Sequence, residues 1–382
     1  MCQPPGRVTY VDPIIGSVYS SFVHDYSSRS NVIRPTTKTR STFLLVLLAT
    51  SISCNHGDSI PLKVELGTRA VSKLPFVIAE DQGLYKKYGL DVQLRMPQPN
   101  FDGGISTYSG GLRERIWRRV RSLGGEPLSW APDIFVDGLT PNIVKRIDQT
   151  RQPHRLAIAG IDCVLRAHIV GNRGIATLDD LKGKRLGISA RRDTTTGFGA
   201  LMLAKRMGWD AVNDISIKLN GRDVESLQEG LVDAIVASEV RYAVAKKEGY
   251  PILADTEDWG IAIAGNSVMV ELGWMDDDVN REAARRFLKA TIEGLALYHQ
   301  DKELALHVMA KWNGITNKEI ANIVYERGKS LEQKPFPCYD GIKNTLELYD
   351  SNEMRKFSAK DFYDDTLVRE LDDSGFINAF FE

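Results

Sequence analysis

Residues 189–197 read Ser-Ala-Arg-Arg-Asp-Thr-Thr-Thr-Gly and run straight into an apolar stretch of helical spacing. Two guanidiniums, Arg191 and Arg192, stand beside three hydroxyls, Thr194, Thr195 and Thr196, where a helix would start. Free N–H groups at a helix N-terminus and the helix dipole both favour an anion. The plainer reading is a helix cap, and one threonine can serve as both cap and ligand contact. A helix terminus contributes only ~0.3–1 kcal/mol, whereas micromolar binding needs ~8 kcal/mol. A charge-assisted arginine contact of ~1.5–3 kcal/mol is therefore required. Arg191 or Arg192 is the expected source here, and Arg69 or Lys73 its counterpart earlier in the chain.

Other chemistries lack their signatures. The six histidines have no metal-ligand spacing, and no Cys-x-x-Cys occurs. GxSxG, HExxH, GxxxxGK[ST] and GxGxxG are absent. No cofactor or metal is expected, and a binder is favoured over an enzyme. An acid/base pair for an enzyme on the same fold would have to come from Asp137, Asp162 and Glu239. A formal net charge of -1 argues against nucleic acid as a partner.

These side chains need a frame to position them. A length of 382 residues, 43% hydrophobic and 26% charged, suits a globular protein of two domains. The N-terminal part differs. Arg34, Lys38 and Arg40 precede an apolar run from Phe43 to Cys54 that ends in small residues. That run is about half the ~20 residues a membrane span needs, and it has the layout of an export signal. Cys54 after Ser51-Ile52-Ser53 is the expected lipidation site, with a plain cleaved signal as the alternative; the long segment before the run suggests a start downstream, at Val32. Cys2 would be lost with the leader. Cys163 and Cys338 read as buried free thiols, unless the fold brings them together.

From residue 60 strands and helices alternate. Strands are expected at 62–68, 91–96, 131–138, 154–161, 164–172, 185–189, 215–220, 233–238, 250–256 and 261–272. Helices are expected at 74–90, 140–149 (capped by Thr140, with Pro141 first), 196–209, 223–231 and 239–249, and helices dominate from residue 280. This is an α/β pattern with parallel strands. The spacing predicts an amphipathic helix over residues 112–123, with Arg115, Arg118 and Arg119 on its polar stripe.

Five segments then carry a resemblance. They are "AEDQGLYKKYGLDVQL" (79–94), "FVDGLTPNIVKRI" (135–147), "IATLDDLKGKRLGIS" (175–189), "LQEGLVDAIVAS" (227–238) and "AVAKKEGYPILADT" (243–256). Their order and spacing resemble the solute-binding proteins of ABC importers, in the group serving nitrate, sulfonates, taurine and the thiamine pyrimidine precursor (NMT1/THI5-like). The resemblance covers roughly residues 62–350. It departs at residues 100–132, which are longer and richer in arginine. The cysteine-rich motif and histidines of the related pyrimidine synthases have no match.

The resemblance implies a type II periplasmic-binding-protein fold, α/β, with two lobes joined by crossing strands. Lobe one would be residues 60–162 plus 275–382, lobe two residues 163–274, and residues 1–59 a leader. The first crossing is expected near Asp162 to Leu165 and the return after residue 272. It implies capture of a small ligand, of sulfonate, carboxylate or pyrimidine type, by a monomer outside the cytoplasm. Delivery would be to a permease with a separate ATPase, and membrane contact only through a lipid at Cys54. Ligands of open α/β sheets sit beyond the carboxyl ends of the strands. That rule selects Ser72, Lys73, Leu74, Phe76, Gly110, Asp137, Gly138 and Thr140 in lobe one. It selects Asp162 at the crossing, and Arg191, Arg192, Thr194, Thr195, Thr196, Ser238, Glu239, Tyr242 and Asn266 beyond it.

Overall fold

The computed structural model of the chain describes residues 59–96, 131–150 and 154–381. The leader with Cys54, the arginine-rich stripe at 112–123 and Gly110 lie outside the described residues.

The first sheet begins with β1 (Ile60–Leu66), whose alternation buries Leu62, Val64 and Leu66. The apolar helix α1 (Leu74–Asp81) and the short α2 (Leu84–Lys87) follow, separated by Gly83 at φ 69°, and the chain returns as β2 (Leu90–Arg95). The helix expected over 74–90, its pattern interrupted by Gly83 and Gly89, divides at Gly83, where the backbone turns left-handed, a conformation glycine adopts without steric cost. Next come β3 (Ile134–Gly138), α3 (Leu139–Thr150) and β4 (Arg155–Gly160).

After Asp162 the chain builds a second sheet. Its strands are β5 (His168–Gly171), β6 (Arg185–Gly187), β7 (Ser216–Lys218), β8 (Ala234–Ala237) and β9 (Ile252–Asp255). Between them lie α4 (Thr195–Met207), α5 (Val224–Gln228) and α6 (Glu239–Lys247). The chain then goes back as β10 (Asn266–Glu271), followed by α7 (Asp278–Gln300), α8 (Lys302–Val308), α9 (Lys318–Gly328), α10 (Tyr339–Leu348), α11 (Thr366–Asp373) and α12 (Asn378–Phe381).

The sheets have orders β2-β1-β3-β10-β4 and β7-β6-β8-β5-β9. β1, β2 and β3 are parallel and β10 runs against β3 and β4. In the second sheet β6, β7 and β8 are parallel, with β5 opposed to both β8 and β9. Strand β10 corrects one expectation. The segment 266–272 was placed before the return crossing, yet its strand hydrogen-bonds inside the first sheet, so the chain has crossed back by Asn266.

The two crossing segments pair with each other. Leu165 N donates to Ile261 O at 2.8 Å, Ile263 N to Cys163 O at 3.0 Å, and Ile161 N to Asn266 O at 2.8 Å. Gly265 is required here, since a Cβ would fall 2.0 Å from the Asp162 carbonyl oxygen. Helix α10 lies over this junction. Asn344 Nδ2 donates to Ala262 O at 2.9 Å, and Cys338 is disulfide-bonded to Cys163, with Cα atoms 5.1 Å apart. The free-thiol expectation is therefore overturned: the fold brings residues 175 apart in sequence into bonding distance.

The larger core forms where α1 packs on α7. Phe76 and Tyr85 stack on Phe287 with ring centroids 5.9 and 5.4 Å away. Gly294 allows the close approach, because a Cβ there would lie 2.3 Å from Pro75 O. The second sheet has its own core around Ile169, Leu186, Leu203 and Val236.

Candidate functional site

In the first sheet the exits of β1 and β3 and the start of β10 meet around one ammonium group. Lys73 ends the turn between β1 and α1 and is 1% exposed. Its Nζ donates to Thr68 Oγ1, to Asp137 Oδ1 at 3.0 Å and to Asn266 Oδ1 at 2.7 Å. An ammonium has three donors and no acceptor, so its hydrogen bonds are all used. Asn266 Nδ2 in turn donates to Ser72 Oγ. The lysine charge is thereby spent within the protein.

The crossing carries a second polar group. Asp162 accepts from Arg166, whose Nε donates to Ser330 Oγ at 2.8 Å and lies 3.3 Å from Glu257. Burial outweighs Arg166 and holds the Asp162 carboxyl above the ordinary carboxylate range. Glu239, the first residue of α6 at the exit of β8, faces the same place. Burial, then the nearby Asp162 charge, push its carboxyl up to about 7, and Arg166 and Lys73 only partly oppose them. Glu239 thus couples the second sheet electrostatically to the crossing and to the first sheet.

The exit of β6 forms a hydroxyl cluster. Ser189 N donates to Thr196 Oγ1 at 3.0 Å, and Ser189 Oγ lies 2.8 Å from Thr196 Oγ1. Thr194 accepts from Gly197 N at 3.4 Å and caps α4, as expected of one of these threonines. At the hinge side His168 and Tyr242 stack with centroids 3.5 Å apart. Burial lowers the His168 pKa from the usual imidazole value. Burial alone would raise Asp255, 3.4 Å from that ring, but His168 and Arg327 hold it well below the usual carboxylate range.

Contacts also bridge the two sheets' layers. Arg327 of α9 grips Asp255 through two bonds, 2.6 and 2.9 Å, and lies 2.7 Å from Glu257. Tyr349 Oη, just after α10, donates to Arg192 O at 2.7 Å.

The structure thus brings Ser72, Lys73, Asp137 and Asn266 into one network, with Asp162 and Glu239 next to it, and Thr194 and Thr196 into another. Gly138 lies at the exit of β3, Thr195 is exposed, and Ser238 begins α6 without a side-chain cap bond. Four expectations change. Leu74 and Phe76 are fully buried core residues with no surface to offer a ligand. Thr140 is not a cap: α3 already starts at Leu139, and the buried Thr140 hydroxyl donates to Ala264 O at 3.1 Å. Arg191 is turned onto Asp193, with Nε 2.8 Å from Oδ1. Arg166 and Arg327 carry no signal in the sequence, each a single arginine outside any motif. An open depression lined by Leu156, Leu272, Lys360 and Tyr363 lies at the opposite end of the first sheet, away from this chemistry. Among the described residues no group of His, Cys, Asp and Glu suits a metal, and no helix is long and apolar enough to cross a membrane.

Residues 167–305 match the model of the family described as NMT1/THI5 like. No curated protein matches the chain in sequence. Among solved structures it is similar to a putative sulfonate ABC transporter's periplasmic sulfonate-binding protein SsuA from Methylobacillus flagellatus KT. The TM-score is 0.58 at 14% identity, covering 85% of this chain and 97% of that one. It is also similar to the periplasmic nitrate-binding protein NrtA from Synechocystis PCC 6803, with TM-score 0.58, 15% identity, and 83% and 89% covered. The desulfurization enzyme DSZB shares the architecture at TM-score 0.55 and 11% identity, with 82% and 99% covered. The fold is the bilobed type II periplasmic-binding-protein fold.

Proposed function

We propose that this NMT1/THI5-like chain is the extracytoplasmic solute-binding component of an ABC importer. It captures a small ligand between two lobes and hands it to a permease driven by a separate ATPase. Lobe one would comprise residues 60–162 and the chain from Asn266 on, with lobe two between. The leader would be removed and Cys54 lipidated, leaving a monomer at the cell envelope. The observation that carries the reading is the pairing of the two crossing segments, Leu165 with Ile261 and Ile263 with Cys163, between a first sheet with Lys73 at an exit and a second sheet with Glu239 at an exit. A ligand seated there touches both lobes, and only ligands with contacts differing between states can drive closure.

Charge supports a choice among ligand types. Lys73 and Arg166 are each committed to carboxylates and other acceptors of the protein. The group left with unmet electrostatic demand at the hinge is Glu239. A bare nitrate or sulfonate at this end would face carboxylates. An aminopyrimidine would donate its exocyclic N–H to the Glu239 carboxylate and relieve its desolvation.

The test is a thermal-shift and calorimetric comparison of 4-aminopyrimidine derivatives with alkanesulfonates and nitrate. A ligand at a hundred times its dissociation constant adds about 2.7 kcal/mol to stability. Binding of sulfonates alone, unaffected by Glu239→Gln, would refute the ligand choice. Mass spectrometry of ligand before and after incubation separates capture from turnover, since a carrier returns it unchanged.

A further inference from the structure

The start of β5 holds a histidine with nothing to bond to. His168 is 2% exposed, and neither ring nitrogen has a hydrogen-bond partner among the described residues. A neutral imidazole carries one donor and one acceptor, and leaving both buried and unpaired is costly. Tyr242 of α6 covers one face of the ring, with the planes 8° from parallel. Asp255 faces the ring across the pairing of β5 with β9, its Oδ2 3.4 Å from Nε2.

Another cation occupies Asp255. Arg327 donates to both of its oxygens, at 2.6 and 2.9 Å, and Glu257 N donates to Oδ1 at 3.0 Å. Arg327 belongs to α9, which is anchored in the core of the first sheet through Val324 and through Tyr298 Oη of α7, a donor to Tyr325 O at 3.1 Å. The guanidinium therefore ties the end of α9 to the second sheet. Helix α6 also packs on α9, where the exposed Lys247–Glu319 pair, 3.3 Å apart, adds little.

The other charges around the ring are Glu257, 2.7 Å from Arg327 and 3.3 Å from Arg166, and Lys246, 5.6 Å from the Tyr242 ring centre. β8 places the uncharged Ala237 opposite His168. Burial, the largest effect, and Arg327 oppose a proton on the ring, Asp255 and Glu257 favour it, and the balance lowers the His168 pKa. Asp255 is held well below the usual carboxylate range, so it stays an anion while His168 titrates.

We propose that His168 is a proton-operated latch at the hinge: once charged, it takes Asp255 from Arg327 and frees the end of α9 from the second sheet. The direction follows from linkage. With Arg327 withdrawn, the ring loses a repelling cation and gains an unshared carboxylate, so the released form binds the proton more tightly. Falling pH therefore favours release, and rising pH restores the fork. Under the capture reading, acid would then open the lobes and lower ligand affinity. That consequence rests on the capture reading, whereas the latch itself does not.

The test follows hydrogen exchange of residues 318–331 in the full chain from pH 8 to pH 5, at constant ionic strength and corrected for the intrinsic pH dependence of exchange. Protection of this segment is expected to fall at least tenfold toward pH 5 in the wild type. His168→Phe keeps the ring stack and cannot take a proton, so its protection should stay level. Glu239 and His299 also have shifted pKa values near α9 and remain in this variant, which isolates His168. Arg327→Ala should be poorly protected at every pH. Circular dichroism verifies folding at each pH, and His168→Gln replaces His168→Phe if that variant is unfolded. An equal acid response in wild type and the substituted chain overturns the proposal, as does wild-type protection that does not change with pH. Small-angle scattering with methanesulfonate and 4-aminopyrimidine keeps the two readings apart. Closure at pH 8 that is lost toward pH 5 in the wild type and retained in His168→Phe supports both. A latch that responds in a chain closing on neither probe sinks capture and leaves the latch.

Discussion

Replacing Glu239 by glutamine should stabilise the unliganded protein increasingly as pH rises from about 4.5 to about 7. Burial and Asp162 raise the Glu239 carboxyl from 4.5 to about 7 in the folded chain. Between those values the unfolded chain has lost this proton while the folded chain still holds it. Stability therefore falls as pH rises through the interval, because the folded state binds more protons. The displacement corresponds to about 3 kcal/mol once both states are ionised. Glutamine keeps the shape and removes the charge, so Glu239→Gln should match the wild type near pH 4 and exceed it near pH 8. For a chain of this size each kcal/mol is worth about 2–4 °C in melting temperature. The assay is thermal unfolding of both proteins across pH 4–8.5 at constant ionic strength. A difference that stays flat with pH would refute the reasoning, since it would mean that Glu239 ionises at its ordinary pH in the folded chain. A donor-rich ligand should reverse the sense: the wild type would bind it more tightly than Glu239→Gln above pH 7.

Other changes follow from the same contacts. Lys73→Met should destabilise by about 1–3 kcal/mol, the cost of removing the buried donor from Asn266 and the partly exposed Asp137, and Lys73→Met with Asp137→Asn should recover part of it in denaturant titrations. Gly294→Ala forces a methyl against Pro75 O, and overpacking of about 1–3 kcal/mol should lower the melting temperature without altering ligand binding. Cys163→Ser with Cys338→Ser should cost about 2–4 kcal/mol, read as a lower melting temperature that matches the wild type under reductant.

The sheet-and-helix order was legible because each strand exit changes hydrophobic period from two to 3.6, and those changes placed Lys73, Asp137, Glu239 and Thr194 at strand exits. What failed was reading side-chain direction. Phe76 sits at such an exit but in a helix, Leu74–Ala79, that is apolar on every face, and a helix of that kind is buried. The return crossing was misplaced because "IAIAGNSVMVEL" is one apolar run, and only pairing with β3 and β4 divides it at Gly265. Helix α10 is faint in the sequence because its ten residues carry Gly341, a weak helix former. The glycine is there for packing, since a Cβ would meet Ile263 and Ala264 backbone at about 2 Å.

That last contact bears on how the lobes move. Helix α10 touches the return crossing through Gly341 and Asn344, and its start is bonded to the outgoing crossing by Cys163–Cys338. Just past its end, Tyr349 reaches lobe two at Arg192 O. The crossings are thus braced where they leave the first sheet, and closure on a ligand as proposed would leave bending to the segment beyond the brace, toward His168 and Asp255. Arg327 bridges that segment to α9 through Asp255 and Glu257. Arg327→Ala should therefore favour the open form and weaken ligand binding by slowing closure, while Tyr349→Phe, which removes one hydrogen bond of about 0.5–1.5 kcal/mol, should do so only mildly. Stopped-flow binding distinguishes the two: a brace that matters changes the closing rate, whereas a contact that merely lines the site changes only dissociation.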